Sequence, residues 1–325
     1  MRPSSSLYNS AYETFKRHIG AVICVLFWGL SFVSTSYIMD NGNLSPTEAY
    51  IYRFIVAYLI LACINHKRWW CNSWKDELLV MIAGLSSGSL YFIAENTALK
   101  LTLTSNVSLL SSTSPLVTVL LVGLIYKSER PGMGIITGSI IAFLGVICVI
   151  FNSFSFTGEE QAFEINPLGD MIALSASFCW AIYSLVLKRL NVVYDSMFLT
   201  RKSFFYGIVT ALPFLALEPS LQNPLMVFSN LSVLGNLIFL ALGASILSFY
   251  LWSITVQKMG AVKANNYMYL QPIVTLVASA IILKEPITLL GIMGFVLILF
   301  GLWFGEYLQA KNRRAPSHRM RLLKS

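Results

Sequence analysis

Glu95 and Asn96 stand in the middle of Tyr91-Phe92-Ile93-Ala94-Glu95-Asn96-Thr97-Ala98-Leu99-Lys100, a stretch that is otherwise mostly apolar. A carboxyl group in such surroundings is costly to ionise, so it either pairs with a cation or exchanges a proton with water in an internal cavity. Three cations share this kind of setting. Arg53 follows Ser45-Pro46-Thr47-Glu48, and Arg201-Lys202 follow Asp195, all inside apolar runs. A long cation there either snorkels to headgroups or lines a cavity, and Arg53 is also placed to pair with Glu95. Trp28 and Trp180 each offer a large apolar face with one donor, which suits a packed core and a ligand cavity alike. Hydrolytic chemistry finds no such basis. His18, His66 and His318 fall in basic segments, no two carboxylates pair within an apolar run, and the five cysteines have no metal-ligand spacing. The sequence therefore predicts no enzyme, no metal and no cofactor.

The elements that carry these residues are membrane spans. Hydrophobic residues make up 56% of the chain, charged residues 12%, and the mean hydropathy is +0.68. Apolar runs occur at 19–39, 46–65, 77–100, 105–126 and 132–151, then at 168–187, 195–217, 231–256, 262–283 and 288–308. Each is close to the about 20 residues that cross a bilayer as a helix. They are continuous and rich in Leu and Ile, unlike the alternating strands of a barrel. The cations divide unevenly between the two sets of ends. Eighteen lie before the first run, at Lys67–Lys75, Lys127–Arg130, Lys188–Arg189 and Lys258–Lys263, and in the tail from Lys311, against Lys100 and Lys284 opposite. Both termini are therefore expected in the cytoplasm. The net charge of +8 follows from this bias, so no nucleic-acid partner is expected. The first run is too long for a signal peptide and has no small-residue cleavage site after it, which makes it an uncleaved first helix.

The chain also repeats itself at a period of about 156 residues. Ser111-Ser112-Thr113-Ser114-Pro115 leads to Glu129-Arg130-Pro131, Gly138 and Gly145, while Tyr267-Met268-Tyr269-Leu270-Gln271-Pro272 leads to Glu285-Pro286, Gly294 and Gly301. With five runs per half, the second half must enter the membrane from the opposite side, which makes an inverted repeat. Such repeats hold a substrate near mid-bilayer and work by alternating access. Pro115 and Pro272 are expected to bend their helices, because each leaves a carbonyl one turn back without its donor, and that break persists where side chains or cavity water satisfy it. Gly84/Gly88, Gly134/Gly138 and Gly301/Gly305 make small-residue faces for close helix approach.

With ten runs and the duplicated series from Pro115 to Gly145 and from Pro272 to Gly301, the chain resembles the EamA-type members of the drug/metabolite transporter superfamily over roughly residues 19–308. The resemblance implies an all-α integral membrane fold of ten transmembrane helices, arranged as two inverted five-helix repeats with both termini inside. The domains are then a cytoplasmic segment 1–18, a first repeat 19–151, an external linker 152–167, a second repeat 168–308 and a basic tail 309–325. It also implies a central cavity lined by the first, third, fourth, sixth, eighth and ninth helices. Carried onto this chain, those helices supply Trp28, Tyr91, Asn96, Ser112, Trp180, Tyr183, Tyr250, Asn266, Tyr267 and Gln271 as candidate liners. Glu95 and Arg53 are the candidate coupling pair. The expected function is export of a small amino-acid-like or other amphipathic metabolite across a bacterial inner membrane, with protons as the coupling partner. A phosphate- or nucleotide-sugar-type exchanger is the alternative that Arg201-Lys202 and Lys263 keep open.

Overall fold

A computed structural model describes residues 5–125, 132–150, 167–217, 229–285, 287 and 289–314. The repeat's Glu129-Arg130-Pro131, its Pro286, the linker up to residue 166 and the tail beyond Arg314 lie outside the described residues. Among those described, the chain forms ten helical elements and no strand: α1 Ser5–Asn41, α2 Pro46–Ile64, α3 Trp74–Leu101, α4 Thr104–Ile125, α5 Met133–Ile150, α6 Pro167–Leu190, α7 Ser196–Ala216, α8 Leu231–Met259, α9 over 261–282 and α10 Leu289–Arg314. Six of these are long and apolar enough to cross a membrane, namely α1 over His18–Asn41, α2, α3, α4, α6 and α8.

The helix starts are written locally. Ser45 Oγ accepts the Glu48 N–H at 3.0 Å and Glu48 Oε2 accepts the Ser45 N–H at 2.9 Å, a capping box that starts α2 with Pro46 in its first turn. Asp195 accepts the Met197 and Phe198 N–H groups at the start of α7, and Asn230 does the same for Ser232 and Val233 at α8. The start of α4 is capped from far away. Glu285 accepts the N–H of Thr104 at 2.8 Å and of Ser105 at 3.2 Å, so the acid that marks the second repeat neutralises a helix N-terminus.

Four elements depart from α geometry. α3 widens to a π segment at Leu85–Leu90 and α8 does so at Leu240–Leu247, at matching places of the two halves. Ser86 and Ser87 donate to the carbonyls of Ile82 and Ala83 at 2.7 and 2.8 Å, occupying acceptors where the wider turn begins. α4 breaks at Ser112-Thr113. The carbonyl of Ser111, which Pro115 cannot serve, accepts the Ser114 hydroxyl instead, and Ser112 Oγ donates to Ser108 O at 2.7 Å. α9 tightens into a 3-10 turn at Asn266–Leu270, where the Met268 carbonyl left by Pro272 accepts the Gln271 N–H. Both proline helices thus leave regular α geometry just before the proline, and each orphaned carbonyl has a donor.

The chain divides into two compact units, each drawing on both halves of the sequence. The first comprises residues 1–118 and 163–286. Within it, the Gly84/Gly88 face of α3 meets α7: a side chain added at Gly88 would come under 3 Å from the backbone of Gly207. The second unit comprises 119–162 and 287–325, and its α5 and α10 lie backbone to backbone through Gly138, Gly145, Gly301 and Gly305.

Candidate functional site

The site residues anticipated from the sequence lie in the first unit, and those that come together do so around α1, α3, α6, α8 and α9. Trp28 of α1 and Trp180 of α6 meet edge to face, ring centroids 5.1 Å apart, and both are buried. Each has spent its indole N–H. Trp28 Nε1 donates to Ala244 O at 2.9 Å, on the π segment of α8, while Trp180 Nε1 donates to Asn265 Oδ1 at 3.1 Å. Phe249 and Tyr91 complete the aromatic group, at 5.6 Å from Trp28 and 5.3 Å from Trp180 respectively.

A narrow cavity opens among these rings, and Glu95, Ser31 and Gln271 are its polar liners. It leaves ≈ 10 Å³ for the centre of a water molecule, enough for about one. Glu95 is buried one turn along α3 from Tyr91, whose hydroxyl lies beside its carboxylate. Gln271 is buried, and its Oε1 has no hydrogen-bond partner. Arg53 does not pair with Glu95, whereas Lys202 pairs with Glu77. The Arg53 Nε instead donates to Ser245 Oγ at 2.6 Å, on the same π segment that receives Trp28. Its guanidinium lies 4.7 Å over the ring of Phe92, which also lines the cavity, and its Nη2 is buried without a partner.

Of the other sequence candidates, Tyr183 is buried against Trp180 with centroids 5.2 Å apart, one ring back from the cavity. Asn96 is buried and donates to Pro46 O at 2.9 Å, and Ser112 serves the α4 break; neither lines the cavity. Tyr250 and Asn266 are half-buried outside it, and Tyr267 bonds His18. The residue that the sequence reading passed over is Asn265. Its Oδ1 takes the Trp180 N–H, and its Nδ2 donates to Thr118 Oγ1 at 3.2 Å and Ser184 Oγ at 3.1 Å, tying α4, α6 and α9 together. Phe249 was also missed, although it lies 157 residues beyond Phe92, as Pro272 does beyond Pro115.

Arg201 and Lys202 neither line the cavity nor extend to solvent. Arg201 donates to the carbonyls of Asn65 and Arg68, and Lys202 to Trp69 O at 2.8 Å and to Glu77, so the two pin the 65–73 connection to α7. Rings cover them, Trp69 lying 4.6 Å from the Arg201 guanidinium and Trp70 4.9 Å from Lys202 Nζ. Burial pushes the nearby Cys71 thiol up to about 11, helped by the Glu77 carboxylate. The Tyr194 phenol is pushed up to about 12 by burial and by its 2.7 Å bond to Asp76.

Long apolar helices surrounding a buried carboxyl, an unpaired amide and a ring-lined cavity define a multi-pass integral membrane protein with an internal polar site. The chain belongs to the EamA-like transporter family, whose model matches residues 16–151 and 167–305, and it is accordingly a transporter rather than an enzyme. A protein of Archaeoglobus fulgidus named an uncharacterized transporter is 28% identical over 290 residues, covering 89% of this chain and 98% of its own. A Salmonella typhimurium protein named a probable amino-acid metabolite efflux pump is 24% identical over 185 residues, 55% of this chain and 60% of its own. A solved crystal structure of a protein shares the fold at a TM-score of 0.62 and 16% identity, covering 92% of this chain and 99% of that one.

Proposed function

We propose that the protein exports a small amphipathic metabolite, amino-acid-like or related, across a bacterial cytoplasmic membrane. Ten spans in two inverted five-helix halves, with both termini inside, carry it by alternating access, and Glu95 binds and releases the driving proton. The observation that carries this reading is Glu95 buried in a cavity that Trp28 and Trp180 close from the two halves of the chain. A carboxyl group there is neutral when dry and ionised when water or a cation reaches it, so opening and closing would change its proton occupancy. Tyr91 and Arg53 are the titratable groups that face it. The paired breaks before Pro115 and Pro272 and the paired π segments support rocking, since each is a place where a helix has already given up regular hydrogen bonding. The relative named an amino-acid metabolite efflux pump supports the solute class.

Metabolite profiling of growth medium with and without the protein identifies the solute. Flux of that solute in proteoliposomes under an imposed pH gradient then tests the coupling. Glu95→Gln is expected to lose gradient-driven accumulation. A monodisperse Glu95→Gln protein with wild-type dependence on the gradient would remove Glu95 from coupling.

A further inference from the structure

The polar groups around the cavity are unbalanced. Four of the donors that reach it are engaged: the Trp28 N–H by Ala244 O, the Trp180 N–H by Asn265, and the Ser31 hydroxyl by Trp28 O at 2.8 Å, while the Tyr91 hydroxyl sits at Glu95. Acceptors remain. Glu95 lacks an ion-pair partner, and the buried Gln271 Oε1 lacks any hydrogen-bond partner. The apolar part of the lining is mostly aromatic, and ring faces are themselves weakly negative. A ligand that completes such a site brings N–H donors and positive charge.

We propose that the cavity recognises the ammonium end of an amine-bearing solute, with Glu95 and Gln271 accepting its N–H groups and the rings of Trp28, Trp180 and Phe249 closing around it. This rests on the transporter reading and narrows its solute. The other ligand chemistries fit worse. A carboxylate or phosphate would meet Glu95 and the ring faces with only the Gln271 amide N–H groups, and no cation among the liners, to compensate its desolvation. A neutral amide brings no positive charge to hold Glu95 ionised, so the carboxyl stays protonated and half of its accepting capacity is lost. A free amino acid would need a cation for its carboxylate, and the nearest, Arg53, is held on Phe92 and Ser245 and does not line the cavity. Amines, and amino-acid derivatives whose acid is masked, meet none of these costs. The cavity has room for about one water, so the rings must part to admit a solute and can close on it afterwards.

Calorimetric titration of the purified protein with 2-phenylethylamine, 3-phenylpropionate and phenylalanine tests the proposal, since the three share a ring and differ in charge. The amine is expected to bind on the order of tenfold or more tighter than either acid-bearing probe, and Gln271→Leu to weaken it by roughly tenfold through loss of one acceptor. Glu95→Gln is expected to weaken it further. Equal or tighter binding of phenylpropionate or phenylalanine overturns the proposal, as does absence of amine binding at about 10 mM, a concentration beyond any weak specific site. Amine binding that a monodisperse Gln271→Leu protein retains in full overturns it as well. Counterflow in proteoliposomes separates this from the parent reading. An anionic solute carried without amine binding removes the proposal and leaves the transporter, whereas amine bound and not carried leaves the site and removes transport of that solute.

Discussion

Arg201 shows how a cation inside an apolar run can be neither a ligand site nor a snorkel. Its two donations to Asn65 O and Arg68 O satisfy carbonyls of a connection that leaves the regular hydrogen bonding of α2, and Trp69 shields the guanidinium. Hydrogen bonds to charged groups are each worth about 1.5–3 kcal/mol. Arg201→Met is therefore expected to destabilise the protein by about 3–6 kcal/mol and to lower the midpoint of thermal unfolding in detergent. An unchanged midpoint would mean that the connection is held without it. Glu95 was legible in the sequence because a carboxyl in an apolar stretch has few reasons to be there. The roles of Arg201 and Lys202 were not, since their partners are backbone carbonyls and a carbonyl has no residue type. Asn265 was passed over for Asn266 for a related reason. The 3-10 turn that begins at Asn266 rotates every later side chain of α9 relative to an unbroken helix, so periodicity alone cannot choose between neighbours.

Among the elements, the broken helices were half legible. The hydroxyl run before Pro115 announces that freed carbonyls will be satisfied on the spot, and Ser114 does this for Ser111. The π segments leave no such mark, because one extra residue per turn demands no particular side chain. The close pairing of α5 and α10 makes the sharpest expectation at this scale. A side chain at Gly301 would come under 3 Å from the backbone N of Ala142, which cannot yield as a flexible side chain can. Gly301→Val is expected to cost about 3 kcal/mol or more, as overpacking against a rigid backbone does. Fluorescence-detected gel filtration should show loss of the monodisperse species; a normal profile and melting point would show that the two helices part easily.

For the whole molecule, the expected topology places the 65–73 connection inside, where native Cys71 reports on it. Its thiol is held near 11, above the ordinary value, so its thiolate fraction and labelling rate are low at pH 7 and rise about tenfold per unit up to that value. In a Cys63→Ser background, an impermeant thiol reagent at pH 8.5 is expected to label Cys71 in inverted vesicles and to spare it in intact cells. Labelling from outside would reverse the orientation. The ring cluster has a further consequence, an optical one. Trp28 stands 5.1 Å from both Trp180 and Trp252, with Trp180 and Trp252 5.9 Å apart. Indoles this close and mutually tilted share their electronic excitations, which produces a paired positive and negative signal in circular dichroism that single, separated chromophores lack. Parting the rings would collapse that signal, so the cluster carries an intrinsic spectroscopic label, and a solute that enters between the rings is expected to switch it off.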